Sequence, residues 1–195
     1  MPARPDAYSP SSAARATDRS QRCAVGAADA TLLVSEAEAD LFRSLAPETA
    51  ARIHAVHNGV DTDWFDPGQV GETPYAEGVR PLVFTGAMDY WPNEEAVTWF
   101  VQTILPRIRE AIPEASLYIV GNHPTRGVQA LAAHPGVVVT GFVEDMRPWL
   151  GHAEVAVAPL RIARGVQNKV LEAMAMGRAV IATGEALAGI EARVG

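Results

Sequence analysis

Residues 81–121 read PLVFTGAMDYWPNEEAVTWFVQTILPRIREAIPEASLYIVG, and the class of fold turns on this stretch. Its first six residues are an unbroken apolar run closing on Gly86. A strand buried on both faces reads this way, as strands in parallel sheets do. Pro92 and Asn93 then open a predicted helix that runs to Ile112, with Val97, Phe100, Val101, Ile104, Leu105 and Ile108 on one broad stripe. The segment 115–121 is a second apolar run, again closing on a glycine. Strand, amphipathic helix, strand at this spacing is a βαβ unit, and its two strands must lie parallel.

Working outward, the same alternation continues to the C-terminus. GVVVTG (136–141), AEVAVAP (153–159) and RAVIAT (178–183) are further strands, with helices GVQALAA, DMRPWLGHA and QNKVLEAMAM between them. Upstream, ATLLVS (30–35) is a short strand and Ser35 reads as the N-cap of the helix EAEADLFRSL, with Glu38 at the capping-box position. RIHAV (52–56) is another strand, and residues 61–80, rich in Pro, Gly and Asp, read as a loop or linker. The fold class is α/β: a Rossmann-like parallel sheet with flanking helices.

Composition narrows the function. A net charge of −7 argues against a nucleic-acid partner, which calls for a basic face. Cys23 is the only cysteine, so no intrachain disulfide forms, which fits a reducing, cytoplasmic setting. No run approaches the length of a membrane helix, and residues 1–22 lack the apolar core of a signal peptide. Their Pro, Ser, Ala and Arg content reads as disordered.

In an open parallel sheet, ligands bind at the carboxyl ends of the strands, near the point where strand order reverses. The predicted site wall is therefore the set of loops at Gly86, Gly121, Gly141 and Pro159. The segment RGVQNKVLEAMAMG (164–177) adds a helix whose Val166, Val170, Leu171 and Met174 face the sheet, with Gly177 as its C′ residue. Lys169 and Glu172 stand near the start of that helix. Two readings are open at this point: an i,i+3 surface ion pair, or an anion site with a hydroxyl-accepting carboxylate one turn on. The arginines of the preceding loop, Arg161 and Arg164, favour the anion site because guanidinium forks suit phosphate oxygens.

Other signals are weaker. Asp61-Thr62-Asp63 has the form of a DxD metal motif without the apolar strand that should precede it. His54 and His57 are three apart on a strand and make poor co-ligands. His123 reads as an exposed loop residue, and Trp91, Trp99 and Trp149 read as core. Tyr90-Trp91 is set apart, since it follows the Gly86 loop toward the presumed cleft.

The segments VSEAEADLF, VHNGVDTDWFDPG, LVFTGAMDYWPNEEAVTWF, YIVGNHP, VVVTGFVEDMRPWLGHAEVAVAPLR and NKVLEAMAMGRAVIAT, in this order, resemble the C-terminal, donor-binding half of GT-B glycosyltransferases. More narrowly they resemble family 4 (group 1) retaining enzymes, of the bacterial sugar transferase type associated with exopolysaccharide and protein-sorting systems. The resemblance covers residues 29–195. It leaves 1–28 as a disordered or remnant N-terminal segment, and it ends before the family's own C-terminus.

The resemblance implies transfer of a hexosyl unit from a nucleotide-diphosphate sugar to a polysaccharide or lipid-linked acceptor. It calls for no metal or cofactor, the donor being a substrate. Partners implied are the nucleotide-sugar donor, the glycan or lipid-linked acceptor, and for a full-length enzyme a peripheral association with the membrane. Glu172 matches the second glutamate of the family's E-x7-E motif and would bind the ribose hydroxyls. Gly141, Phe142 and Val143 would hold the base through backbone groups, and Gly86 would let the backbone approach the diphosphate or sugar. Lys169, Arg161 and Arg164 would carry the diphosphate charge, and no catalytic residue is assigned in this half. Arg164 stands where the family's first glutamate falls, and AMDYWPN lacks the usual Arg and Lys after the glycine. Two other outcomes remain open: a truncated, non-catalytic nucleotide-binding fragment, and a GT-B-fold nucleotide-sugar epimerase.

Overall fold

A computed structural model describes residues 27–163 and 165–190. Cys23, most of the 1–28 segment and Arg164 lie outside the described residues. The chain forms two compact units, one ending at His57 and one beginning at Asn58.

In the first unit, β1 (Thr31–Leu33) pairs in parallel with β2 (Ile53–Ala55), joined through α1 (Glu36–Leu45) and a 3-10 turn. Ser35 caps α1 as expected, its Oγ accepting from the Glu38 N–H at 3.3 Å. Ala39 and Ile53 form the small core of this unit.

The second unit is built on five parallel strands: β3 (Arg80–Thr85), β4 (Ala115–Val120), β5 (Val137–Gly141), β6 (Val155–Ala158) and β7 (Ala179–Ala182). Their order across the sheet is β5-β4-β3-β6-β7. β3 pairs with β4 along its whole length, from Arg80 opposite Ala115 to Thr85 opposite Val120, and with β6 on its other side. The chain thus builds outward from β3 to β5, returns, and builds the other way. The reversal at β3 is the switch point where such sheets take ligands.

Each sheet face has its own core, as alternation along buried strands requires. Phe84, Leu117, Ile119 and Val157 face the helices α2 (Trp91–Trp99), α3 (Leu105–Ala111) and α4 (Arg126–Ala130). Val83, Tyr118, Val120 and Ala156 face α5 (Arg147–Gly151) and α6 (Asn168–Ala175). A last short helix, α7 (Gly184–Leu187), follows β7.

One expectation is corrected. The single helix predicted over 92–112 is broken into α2 and α3 by a π turn at Phe100–Ile104, where the Leu105 N–H reaches back to the Phe100 carbonyl. Pro106 is the cause: a proline in mid-helix has no N–H to give and crowds the preceding turn, and one wide turn absorbs both. The apolar stripe survives the break, with Val97, Phe100, Val101 and Leu105 all buried. Residues 61–79 are loop, as expected, with one 3-10 turn at Pro67–Gln69, and they pack onto the sheet. Tyr75 from this segment is buried, packs edge-on against Tyr118 and Trp149, and donates its hydroxyl to the Trp149 carbonyl. Burial pushes its phenol well above the ordinary range.

α6 ends as the sequence predicts. Gly177 takes φ +65°, its N–H reaches the Met174 carbonyl, and the Arg178 N–H reaches that of Ala173. That pair of bonds is a Schellman motif, which a glycine at C′ permits without strain.

Candidate functional site

The carboxyl ends of β3, β4 and β5 converge on a cleft of about 420 Å³, within the usual span for small-molecule sites. Thr85, Gly86 and Ala87 form one wall, Gly121 and Asn122 another, Phe142, Val143 and Met146 a third. Val166 and the start of α6, with Asn168, Lys169 and Glu172, close the fourth side.

Glycine is what allows the strand ends to come so close. The Gly86 N–H donates to the Val120 carbonyl at 3.1 Å and the Met88 N–H to Asn122 at 2.9 Å, so the loop after β3 lies flat on the end of β4. A side chain on Gly121 would put its Cβ 1.7 Å from the Gly86 carbonyl oxygen. On the far side, the Gly121 N–H donates to the Gly141 carbonyl at 3.2 Å. Gly141 itself, at φ +72°, turns the chain after β5 so that Phe142 and Val143 reach the cleft. Phe142 is 73% exposed at the rim, an open aromatic face beside polar groups.

Lys169 and Glu172 do not form the surface ion pair that their spacing allows. The Lys169 ammonium donates to Asn93 Oδ1 at 2.6 Å and lies 4.1 Å from the centre of the Phe84 ring. Asn93 comes from α2, and its own Nδ2 donates to the Ala87 carbonyl at 2.9 Å. Burial pulls the Lys169 amine down to about 7 from an ordinary 10.5, against the opposing pull of the Glu172 carboxylate. Burial likewise raises Glu172, with Lys169 lowering it in part. Both groups are half-buried at one end of the cleft, each made reluctant to carry its charge alone. An anion beside Lys169 and a hydroxyl pair beside Glu172 would meet those needs. The amide groups in the first turn of α6 add to this, since a helix start favours negative charge. Lys169 is the chain's single lysine, against 15 arginines.

Of the residues expected at the site, Gly86, Phe142, Val143, Lys169 and Glu172 line the cleft together, and Gly141 supports it from one residue away. Arg161 does not join them. Its guanidinium pairs with Glu95 on α2, with Nε to Oε1 at 2.8 Å, and lies 5.2 Å from the Trp99 ring. A carboxylate and an aromatic face one turn apart outcompete an empty cleft for this side chain.

The Asp61 carboxylate is taken up in its own turn, accepting from the Asp63 and Trp64 N–H groups at 3.1 and 2.9 Å. Trp149 is half-buried against the core, whereas Trp91, expected in the core, is 57% exposed and, like Tyr90 at 55%, does not line the cleft. Sequence reasoning missed Asn93, Asn122, Asn168 and Thr85. Asn93 was legible only as the opening of a helix.

The family model described as glycosyl transferases group 1 matches residues 80–194, from the start of β3 almost to the C-terminus. No curated protein sequence matches the chain. Among solved structures, Anabaena HepE in complex with UDP and glucose aligns at 15% identity with a TM-score of 0.67, over 92% of this chain and 52% of that one. A glycosyltransferase from Rickettsia africae aligns at 16% identity and 0.64, over 89% of this chain and 50% of that one. A UDP-forming α,α-trehalose-phosphate synthase from Burkholderia xenovorans aligns at 11% and 0.60, over 81% and 47%. The chain therefore spans about half the length of the structures it matches, and its parallel sheet corresponds to one half of the GT-B fold. With 80–194 covering both the five-stranded sheet and the cleft at its carboxyl edge, the chain belongs to the glycosyl transferases group 1 family.

Proposed function

We propose that residues 29–195 form the donor-binding domain of a family 4 glycosyltransferase, which moves a hexosyl unit from a nucleotide-diphosphate sugar to a polysaccharide or lipid-linked acceptor. The observation that carries this reading is that Lys169 and Glu172, one turn apart on α6, both line the cleft at the switch point of the sheet. The UDP and glucose present in the HepE complex support a nucleotide-sugar ligand.

In this reading the diphosphate lies over the start of α6 beside Lys169, and Glu172 accepts both ribose hydroxyls. The base rests on the backbone of Gly141, Phe142 and Val143. Gly86 gives the diphosphate and sugar close access to the backbone. The chain's part in the reaction is electrostatic: the lysine and the helix start hold the charge that grows on the departing diphosphate. The acceptor would be brought by a second domain facing the cleft. The setting proposed is the cytoplasm, with peripheral membrane association and exopolysaccharide synthesis as the context. Among the described residues no helix is long and apolar enough to cross a membrane.

The test is calorimetric titration of the chain with UDP, GDP and their sugars, beside Glu172→Ala. One base should bind, and the variant should bind it roughly 10- to 100-fold more weakly, the worth of hydrogen bonds to a charged group. A folded chain that binds none of them, or a variant with unchanged affinity, overturns the reading.

A further inference from the structure

Asn93 is 6% exposed, a polar side chain buried in the first turn of α2. Its two amide ends have different partners that cannot be exchanged. A lysine ammonium offers only donors and a backbone carbonyl only accepts, so Oδ1 must face Lys169 and Nδ2 must face the Ala87 carbonyl. One amide thus ties three elements together: α2, the loop after β3, and α6. The fit is close, because a Cβ on Gly86 would lie 2.8 Å from Asn93 Nδ2 and 3.1 Å from Lys169 Nζ.

Resting on the proposal that Lys169 binds the donor diphosphate, we infer that Asn93 is a positioning residue: a neutral acceptor that fixes the lysine in the cleft without neutralising it. A carboxylate at this place would hold the ammonium just as firmly. It would also cancel the lysine's charge and repel the phosphates. The amide does the holding alone.

The other charged groups nearby are already committed. Glu94 accepts from the Thr125 hydroxyl at 2.8 Å, and Glu95 is paired with Arg161. β3 presents the Phe84 ring, and on α6 Glu172 is the carboxylate acting on Lys169. Asn93→Asp therefore places a new negative charge on the lysine from α2, whose Glu94 and Glu95 are turned to other partners.

The experiment uses the chain's single lysine, whose ε-carbon gives one side-chain resonance in a 13C-lysine-labelled sample. Its titration is followed by NMR in the free protein for wild type, Asn93→Asp and Asn93→Ala. UDP and GDP affinities are measured on the same samples, with Lys169→Ala as reference. In Asn93→Asp the lysine should titrate at least one pH unit higher and nucleotide affinity should drop more than tenfold. Asn93→Ala should lose affinity less than Asn93→Asp does. An unmoved titration in Asn93→Asp, or affinity retained in both variants, overturns the inference. The lysine titration is read without ligand, so failure of the donor-site reading appears separately, as Lys169→Ala binding like wild type.

Discussion

Gly121→Ala is expected to destabilise the sheet unit by about 3 kcal/mol or more, at the upper end of what overpacking a core site costs. The added Cβ would stand 1.7 Å from the Gly86 carbonyl oxygen, 2.8 Å from its carbon and 3.3 Å from its nitrogen. All three are backbone atoms, so no rotamer change relieves the clash. Gly86 cannot retreat cheaply either, because its N–H is bonded to Val120 and the Met88 N–H to Asn122. Relief means parting the ends of β3 and β4 and giving up bonds that shape the cleft wall. Gly59→Ala is the control, since a Cβ there meets nothing within 4 Å. Urea unfolding of the two variants decides the matter. A midpoint for Gly121→Ala as close to wild type as that of Gly59→Ala would mean the strand ends are not in contact.

That contact marks the limit of what the sequence displays. Apolar runs closing on glycine announce strands and their carboxyl ends, because burial on both faces leaves no room for polar residues and a turn needs freedom of φ. The seven strands among the described residues stand where the pattern puts them, with ends that differ by one or two residues. Which glycine touches which backbone is a property of strand order, and strand order is set by packing between distant segments. The break at Phe100–Ile104 is different, for its cause is printed in the sequence as Pro106. Helical periodicity hides the proline there, since Val97, Phe100, Val101 and Leu105 all stay buried across the wide turn.

The site divides in the same way. Lys169 and Glu172 are legible from their place at the head of a helix, and Gly86 and Val143 from their places after strands. Arg161 is legible as a basic residue in the right loop, yet it is drawn off by Glu95 and Trp99, which lie 66 and 62 positions earlier in the sequence and meet it only in the fold. Asn93 has the opposite history: a routine helix-opening residue by sequence, and in space the partner of a lysine 76 positions further along the chain. Short-range chemistry is local and can be read. Competition for a side chain is not.

Nucleotide-sugar binding is expected to take up a proton at mildly alkaline pH, and Lys169 is the group that takes it. In the free chain burial holds the amine at about 7, so at pH 8 it is largely neutral. A bound diphosphate favours the ammonium and pushes the value back up. Between about pH 7.5 and 9.5 affinity should then fall by roughly tenfold per pH unit, and the calorimetric enthalpy at pH 8 should vary with the ionisation enthalpy of the buffer. A nucleotide sugar is the better probe than a free nucleoside diphosphate, whose own terminal phosphate titrates nearby.

The sign for stability runs the opposite way. Between about 7 and 10.5 the unfolded lysine holds a proton that the folded one has lost, so the free chain gains stability as pH rises through that window. Lys169→Ala should lower affinity at pH 7 by roughly 30-fold and flatten the pH profile. Lys169→Arg separates charge from titration, because a guanidinium keeps its proton throughout: it should bind with a flat profile across the same range. A wild-type chain that binds the donor with no pH slope and no buffer dependence would show that Lys169 keeps the same protonation state free and bound. The diphosphate would then have to be held by other groups.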